Sequence, residues 1–207
     1  FREKLIGMDP RDIEGINAVM NRAVAYAGTA KAAVDIACHD ILGKAAGLPL
    51  YKLLGGLSNT IETDMTVGID TPELMAAAAK EHVAAGFRVI KTKVGTNIAD
   101  DIARVKAIRE AVGDDVKIRL DANQGWHARE AVELLKRLNE YDIELVEQPV
   151  KAHDIEGMKY ITRRVQTPIL ADESVFSPAD AVEIIRQRAA DLINIKLMKT
   201  GGIHEAL

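Results

Sequence analysis

Charged residues recur along this chain at a nearly fixed interval, each at the end of a short β-branched run. The runs read ETDMTVGI, FRVIKTKVG, DVKIRLDAN, DIELVEQP, TPILADES and DLINIKLMK. Lys93, Asp121, Glu147, Asp172 and Lys196 close the second to the sixth of them, at intervals of 28, 26, 25 and 24 residues. The segments between carry helix signals. Thr71-Pro72-Glu73 supplies an N-cap, a first-turn proline and an acid at the positive helix end, and Ser177-Pro178-Ala179-Asp180 repeats that logic. Ile98, Ile102, Val105, Ile108 and Val112 keep helical spacing and stop at Gly113. Strands alternating with helices predict an α/β chain with a parallel sheet. A near-constant period favours a (β/α) TIM-type barrel over a doubly wound sheet. About six of eight strands are recognisable, so two βα units are expected beyond Leu207. The start at Phe1, without a methionine, also reads as a cut.

Residues 1–56 show no strand pattern. Thr29 is expected to cap a helix through AKAAVDIACHDILGK, with Ala30, Ala33 and Ala37 as a close-packing face, and a short helix is expected at LPLYKLLGG. These residues read as the tail of a separate helical subdomain, and 57–207 as a partial barrel domain. Composition narrows the function. The chain has 27 Lys+Arg against 31 Asp+Glu, so it lacks the basic excess that nucleic-acid binding needs. No apolar run reaches the ~18 residues of a membrane span, and FREKLIGMDP is not a signal peptide. The aromatic fraction of 4% predicts an aliphatic core. A single cysteine, Cys38, excludes an internal disulfide framework and reads as a small buried hydrophobe. A cytoplasmic setting is expected.

Barrel enzymes build their sites at the C-terminal ends of the strands. Strand alternation puts Lys91 and Lys93 on one inward face, with Thr92 toward the helices. Arg119, Asp121 and Asn123 share the next inward face, and Asn194 and Lys196 the last. A buried Arg119 needs carboxylate partners. Three carboxylates at one repeat phase raise one another's pKa unless a cation compensates them. Oxygen donors point to Mg²⁺, or Mn²⁺ in its place. Lys93 and Lys196 come from the second and sixth strands, on opposite sides of an eight-stranded ring. Two opposed bases are what a racemase or epimerase requires, one removing a proton and the other returning it. Either lysine could instead serve as a structural ion pair, the role expected of Lys91. Trp126 and His127 follow the third strand, either as substrate contacts or as loop structure. Gly201-Gly202 suits a close turn or a phosphate at a helix N-terminus. The five histidines show no HxH or HExxH spacing, which argues against a zinc hydrolase.

KTK, LDAN, VEQP, ADES and NIKLMKTGG in combination resemble the enolase superfamily, in its muconate-lactonizing subgroup, and within it the dipeptide epimerases of the L-Ala-D/L-Glu type. AAVDIACHDILGKAAGLPLYKLLGG is similar to the stretch that links capping domain to barrel in that family. The resemblance implies one Mg²⁺ per subunit on Asp121, Glu147 and Asp172, with Lys93 and Lys196 as acid/base catalysts. It implies that Lys91 and Thr66 contact a small-molecule dipeptide or carboxylate substrate, with Arg119, Asn123 and Asn194 in support. An α-proton would be lost to give an enediolate. The alternatives are another enzyme of the subgroup (a cycloisomerase, an o-succinylbenzoate synthase or an N-acyl amino acid racemase) or an inactive fragment. A homo-oligomer is expected.

Overall fold

The computed structural model describes residues 1–207 and opens with four helices: α1 (Arg2–Leu5), α2 (Ile13–Ala23), α3 (Gly28–Ala46) and α4 (Leu50–Leu53). Strand and helix then alternate as β1 (Met65–Val67), α5 (Pro72–Ala84), β2 (Val89–Lys93), α6 (Ile98–Val112), β3 (Lys117–Asp121) and α7 (Ala128–Leu138). They continue as β4 (Ile143–Glu147), α8 (Ile155–Thr162), β5 (Ile169–Ala171), α9 (Pro178–Gln187) and β6 (Leu192–Ile193), and α10 (Leu197–Thr200) follows. All six strands lie in one parallel sheet in sequence order. Two compact units divide the chain. One gathers Phe1–Ile61, Phe176–Ala179 and Ile195–Leu207, and the other Glu62–Val175 with Asp180–Asn194.

In the second unit the helix-facing strand residues Ile90, Ile118, Leu120, Val146 and Ile169 are fully buried. They meet stripes such as Ala131, Leu134, Leu135 and Leu138 of α7 in one aliphatic core. Each buried Ile, Leu or Val side chain among them contributes about 1.5–3 kcal/mol of transfer free energy. Thr92 is buried among them, on the side that alternation assigns it. The helix starts follow their local chemistry. Thr71 Oγ1 accepts from the Leu74 N–H at 3.4 Å, and Asn97 Oδ1 from the Asp100 N–H at 3.0 Å. Gly113 ends α6 at φ 77°, where a side chain would be strained.

The helical unit departs from expectation in two places. Thr29 caps nothing. The helix α3 starts one residue earlier, behind Tyr26 (φ 60°) and Ala27 (φ 52°), without a side-chain cap. Its start is set by packing, because a Cβ on Gly28 would lie 2.7 Å from the carbonyl oxygens of Met198 and Lys199. The buried stripe of α3 is Ala32, Asp35, Cys38, His39 and Gly43, whereas Ala30, Ala33 and Ala37 are exposed. Asp35 decides that orientation. Its carboxylate accepts from Asn17 Nδ2 at 2.8 Å and from the Ile203 N–H at 2.6 Å, and His39 Nδ1 lies 3.3 Å from it. A buried acid with partners outweighs three alanines in choosing the inward face. At Gly202 a Cβ would run into the Asp35 carboxylate, so the glycine lets the backbone reach this acid in a close turn.

Candidate active site

The strand register gathers the polar row at one end of the sheet. Thr66, Lys91 and Arg119 are Cα neighbours across β1, β2 and β3. Lys93, Asp121 and Glu147 are neighbours one pleat further on. Asp172 follows the last residue of β5. The three acids are 1%, 3% and 0% exposed for Asp121, Glu147 and Asp172, so their charges are held out of water. Lys91 Nζ lies 2.5 Å from Glu147 Oε2 and 2.9 Å from Asp121 Oδ2. Lys93 Nζ donates to Asp121 Oδ2 at 2.7 Å and to Asn123 Oδ1 at 2.6 Å. Asn194 Nδ2 donates to Glu147 Oε1 at 2.8 Å. The Asn123 main chain donates to Asp121 Oδ1 at 3.0 Å, and its amide reaches Glu173 Oε1 at 3.1 Å.

These contacts split the two neighbouring acids. Burial pushes the Asp121 carboxyl up, but the Lys93 and Lys91 ammonium groups outweigh it and hold Asp121 below the usual carboxylate range. Burial also pushes Glu147 up, and there the Lys91 bond does not offset it, with the Asp121 charge adding to the rise. Lys91 is held above its ordinary value, since Glu147 and Asp121 outweigh the burial that would lower it.

As the side chains stand, no three His, Cys, Asp or Glu groups are gathered closely enough to hold a metal ion. The chemistry of the row nevertheless suits a hard divalent cation. It offers three buried carboxylates on successive strand ends, one of them pushed toward protonation by burial and, to a lesser degree, by the charge of its neighbour. Glu173 Oε2, beside Asp172, is buried without a hydrogen-bond partner. An oxygen-seeking cation would satisfy all of these.

The other expected residues fall as follows. Thr66 is exposed on β1. Arg119 is inward, 29% exposed rather than fully buried, and donates to Glu144 Oε2 at 2.5 Å and Asp64 Oδ2 at 3.0 Å. Lys196 does not end a strand. The strand β6 stops at Ile193, its last main-chain bond is from Asn194 N to Ala171 O at 2.8 Å, and Lys196 is the extended, exposed residue before α10. Trp126 is buried in the core, and its indole donates to Asp101 Oδ2 at 2.9 Å. Its role is loop structure. His127 is the exposed residue before α7.

Four site-building residues escaped the sequence reading. Asp64 is two residues from Thr66, so strand alternation could have found it. Glu144 has the wrong parity relative to Glu147, and reaches Arg119 only because a bulge shifts the register between Ile118 and Arg119. Asp101 is fully buried and accepts from Trp126, from the Gly95 N–H at 2.9 Å and from Arg104 at 3.0 Å. It ties the loop after β2 to the loop after β3. Gln148, inside VEQP, is fully buried, and no periodicity signals its role.

A parallel βα sheet in sequence order, with a lysine pair and an acid row at the C-terminal ends of its strands, defines the class of (β/α)-barrel-type chains that gather polar groups on one face. The chain belongs to the enolase superfamily, in its mandelate racemase/muconate lactonizing enzyme group. Residues 1–55 match the family described as "Mandelate racemase / muconate lactonizing enzyme, N-terminal domain", and residues 74–207 match "Enolase C-terminal domain-like". Among known proteins it is 57% identical over 207 residues to a hydrophobic dipeptide epimerase of Enterococcus faecalis, covering 100% of this chain and 58% of that protein. It is 50% identical over 209 residues to an L-Ala-D/L-Glu epimerase of Clostridium acetobutylicum, covering 100% and 58%. A crystal structure of the Enterococcus faecalis dipeptide epimerase, complexed with Mg and L-Leu-L-Tyr, matches 99% of this chain and 58% of that one, with a TM-score of 0.97 at 57% identity. The chain thus spans a little over half the length of these relatives. No helix is long and apolar enough to cross a membrane.

Proposed function

We propose that the protein containing this chain is a Mg²⁺-dependent epimerase of dipeptides, L-Ala-D/L-Glu-like, acting at the α-carbon beside the terminal carboxylate. The observation that carries this reading is the Lys93–Asp121 pair set in a row of three buried acids on successive strand ends. Asp121, Glu147 and Asp172 would hold the ion, whose charge would stabilise the carboxylate as negative charge develops on it. The chain's own residues do the rest. Lys93 removes the α-proton on one face, its Nζ aimed by Asp121 and Asn123. Lys196, in the segment after β6, is assigned the delivery of a proton on the opposite face. Lys91 keeps its charge between Glu147 and Asp121 and orients the substrate carboxylate, with Thr66 beside it in register. Asn194 and Asn123 hold Glu147 and Asp121 in place, and Arg119 braces the sheet below them. The protein is expected to be a cytoplasmic homo-oligomer.

The test is α-proton exchange in D₂O over a dipeptide library with the full-length protein. Lys93→Ala and Lys196→Ala should each lose epimerisation by about three powers of ten or more, since each direction needs a base and an acid. Each should keep deuterium exchange on one stereoisomer, and the two should keep opposite ones. Exchange of the same isomer by both variants, or epimerisation surviving in Lys196→Ala, would rule out two opposed bases. Preference for N-acyl amino acids over dipeptides would move the protein to a racemase of the same group.

A further inference from the structure

The strand β4 ends in an unusual way. Gln148 follows its last residue with φ 39°, left-handed in a residue that has a side chain. Such backbone costs roughly 1–2 kcal/mol and persists where surroundings enforce it. Its N–H still completes the parallel ladder to Leu170 O at 2.9 Å. In a continuing ladder its carbonyl would then accept from the Asp172 N–H. The left-handed turn sends that carbonyl to Gln124 N at 2.8 Å instead. The side chain takes over the vacated bond: Gln148 Oε1 accepts from the Asp172 N–H at 2.9 Å and from the Ser174 N–H at 3.1 Å. Its Nε2 donates to Val150 O at 2.9 Å and to Ser174 Oγ at 2.8 Å. All four hydrogen-bonding positions of the amide are used, and the residue is fully buried.

We infer that Gln148 is a positioning residue: its amide replaces the next rung of the β4–β5 ladder and so fixes where Asp172 leaves the sheet and where its carboxylate is aimed. The inference rests on the functional reading in which Asp172 is one of the metal-holding acids. Glutamate would lose both N–H donors and bury a charge, asparagine is too short to span the loops, and an apolar residue of equal length leaves the Asp172 N–H unpaired. Groups that orient a metal ligand typically contribute 10–100-fold in metal affinity.

In the full-length protein, Gln148→Met should weaken Mg²⁺ binding by about 10–100-fold in a calorimetric titration. With Mg²⁺ saturating, kcat should fall more than KM rises. Ser174→Ala removes the hydroxyl that accepts from the amide and donates to Ala152 O at 2.8 Å, and leaves the Asp172 bond, so it should shift the Mg²⁺ Kd in the same direction by a smaller factor, about threefold. A purely structural role would lower Tm and leave the Kd of both variants within twofold of the parent, and that result overturns the inference. If Gln148→Met is insoluble, Ser174→Ala decides alone. A parent protein that binds no Mg²⁺ would overturn the functional reading and this inference with it; a parent that binds and epimerises, with variants that bind as tightly, would overturn only the inference.

Discussion

Two adjacent carboxylates, Asp121 and Glu147, share one lysine and are driven in opposite directions, the first held ionised and the second pushed toward protonation. The sign for Glu147 follows from linkage: an acid whose folded pKa is raised binds its proton more readily in the folded state, so its contribution to stability improves as pH falls through that value. Its charge is therefore a cost of the site and not a brace for the fold. Glu147→Gln should leave the metal-free protein no less stable near neutral pH, as read by thermal melting. The same variant should bind Mg²⁺ at least about tenfold more weakly by calorimetry, since a ligand matters no less than the partners that orient ligands. Unchanged metal binding would remove Glu147 from the set of ligands.

At the scale of elements, the sequence was legible wherever a local rule decides. The six strands, the Thr71 cap and the Gly113 stop follow from periodicity and capping, and the end-of-strand acids follow from their phase. Legibility failed where a long-range contact overrode the local one. Glu144 needed a bulge to reach Arg119, and Asp35 turned α3 by its buried partners. The loops above the strands show the same dependence. Gly95 has φ 105°, and a Cβ on it would run into the Ala122 carbonyl and crowd Gly125. Gly95→Ala should therefore cost roughly 2–4 kcal/mol in urea unfolding, combining left-handed strain with a backbone clash. Parent-like stability would mean that the two loops separate freely.

At the scale of the whole chain, β1 and β6 are the end strands of an open list of pairings, and Leu192 on β6 is 42% exposed. Unpaired parallel edges beside apolar surface recruit other chains. The 207-residue chain on its own should therefore associate with rising concentration in sedimentation velocity. A monomer with a cooperative, concentration-independent melt would show that its edges need no cover. The Asp35 contact adds a constraint of a different kind, one of timing. Its carboxylate is met by the N–H groups of Ile203 and His204, 168 and 169 residues further along the chain, and the same helical unit includes Ile195–Leu207. A ribosome delivers the sequence from its N-terminal end at about 5–20 residues per second. For several seconds of synthesis Asp35 thus lacks its partners Ile203 and His204, while β1 to β6 emerge ahead of them. The helices that come first in this sequence are, by this geometry, completed only after β1 to β6 have been made.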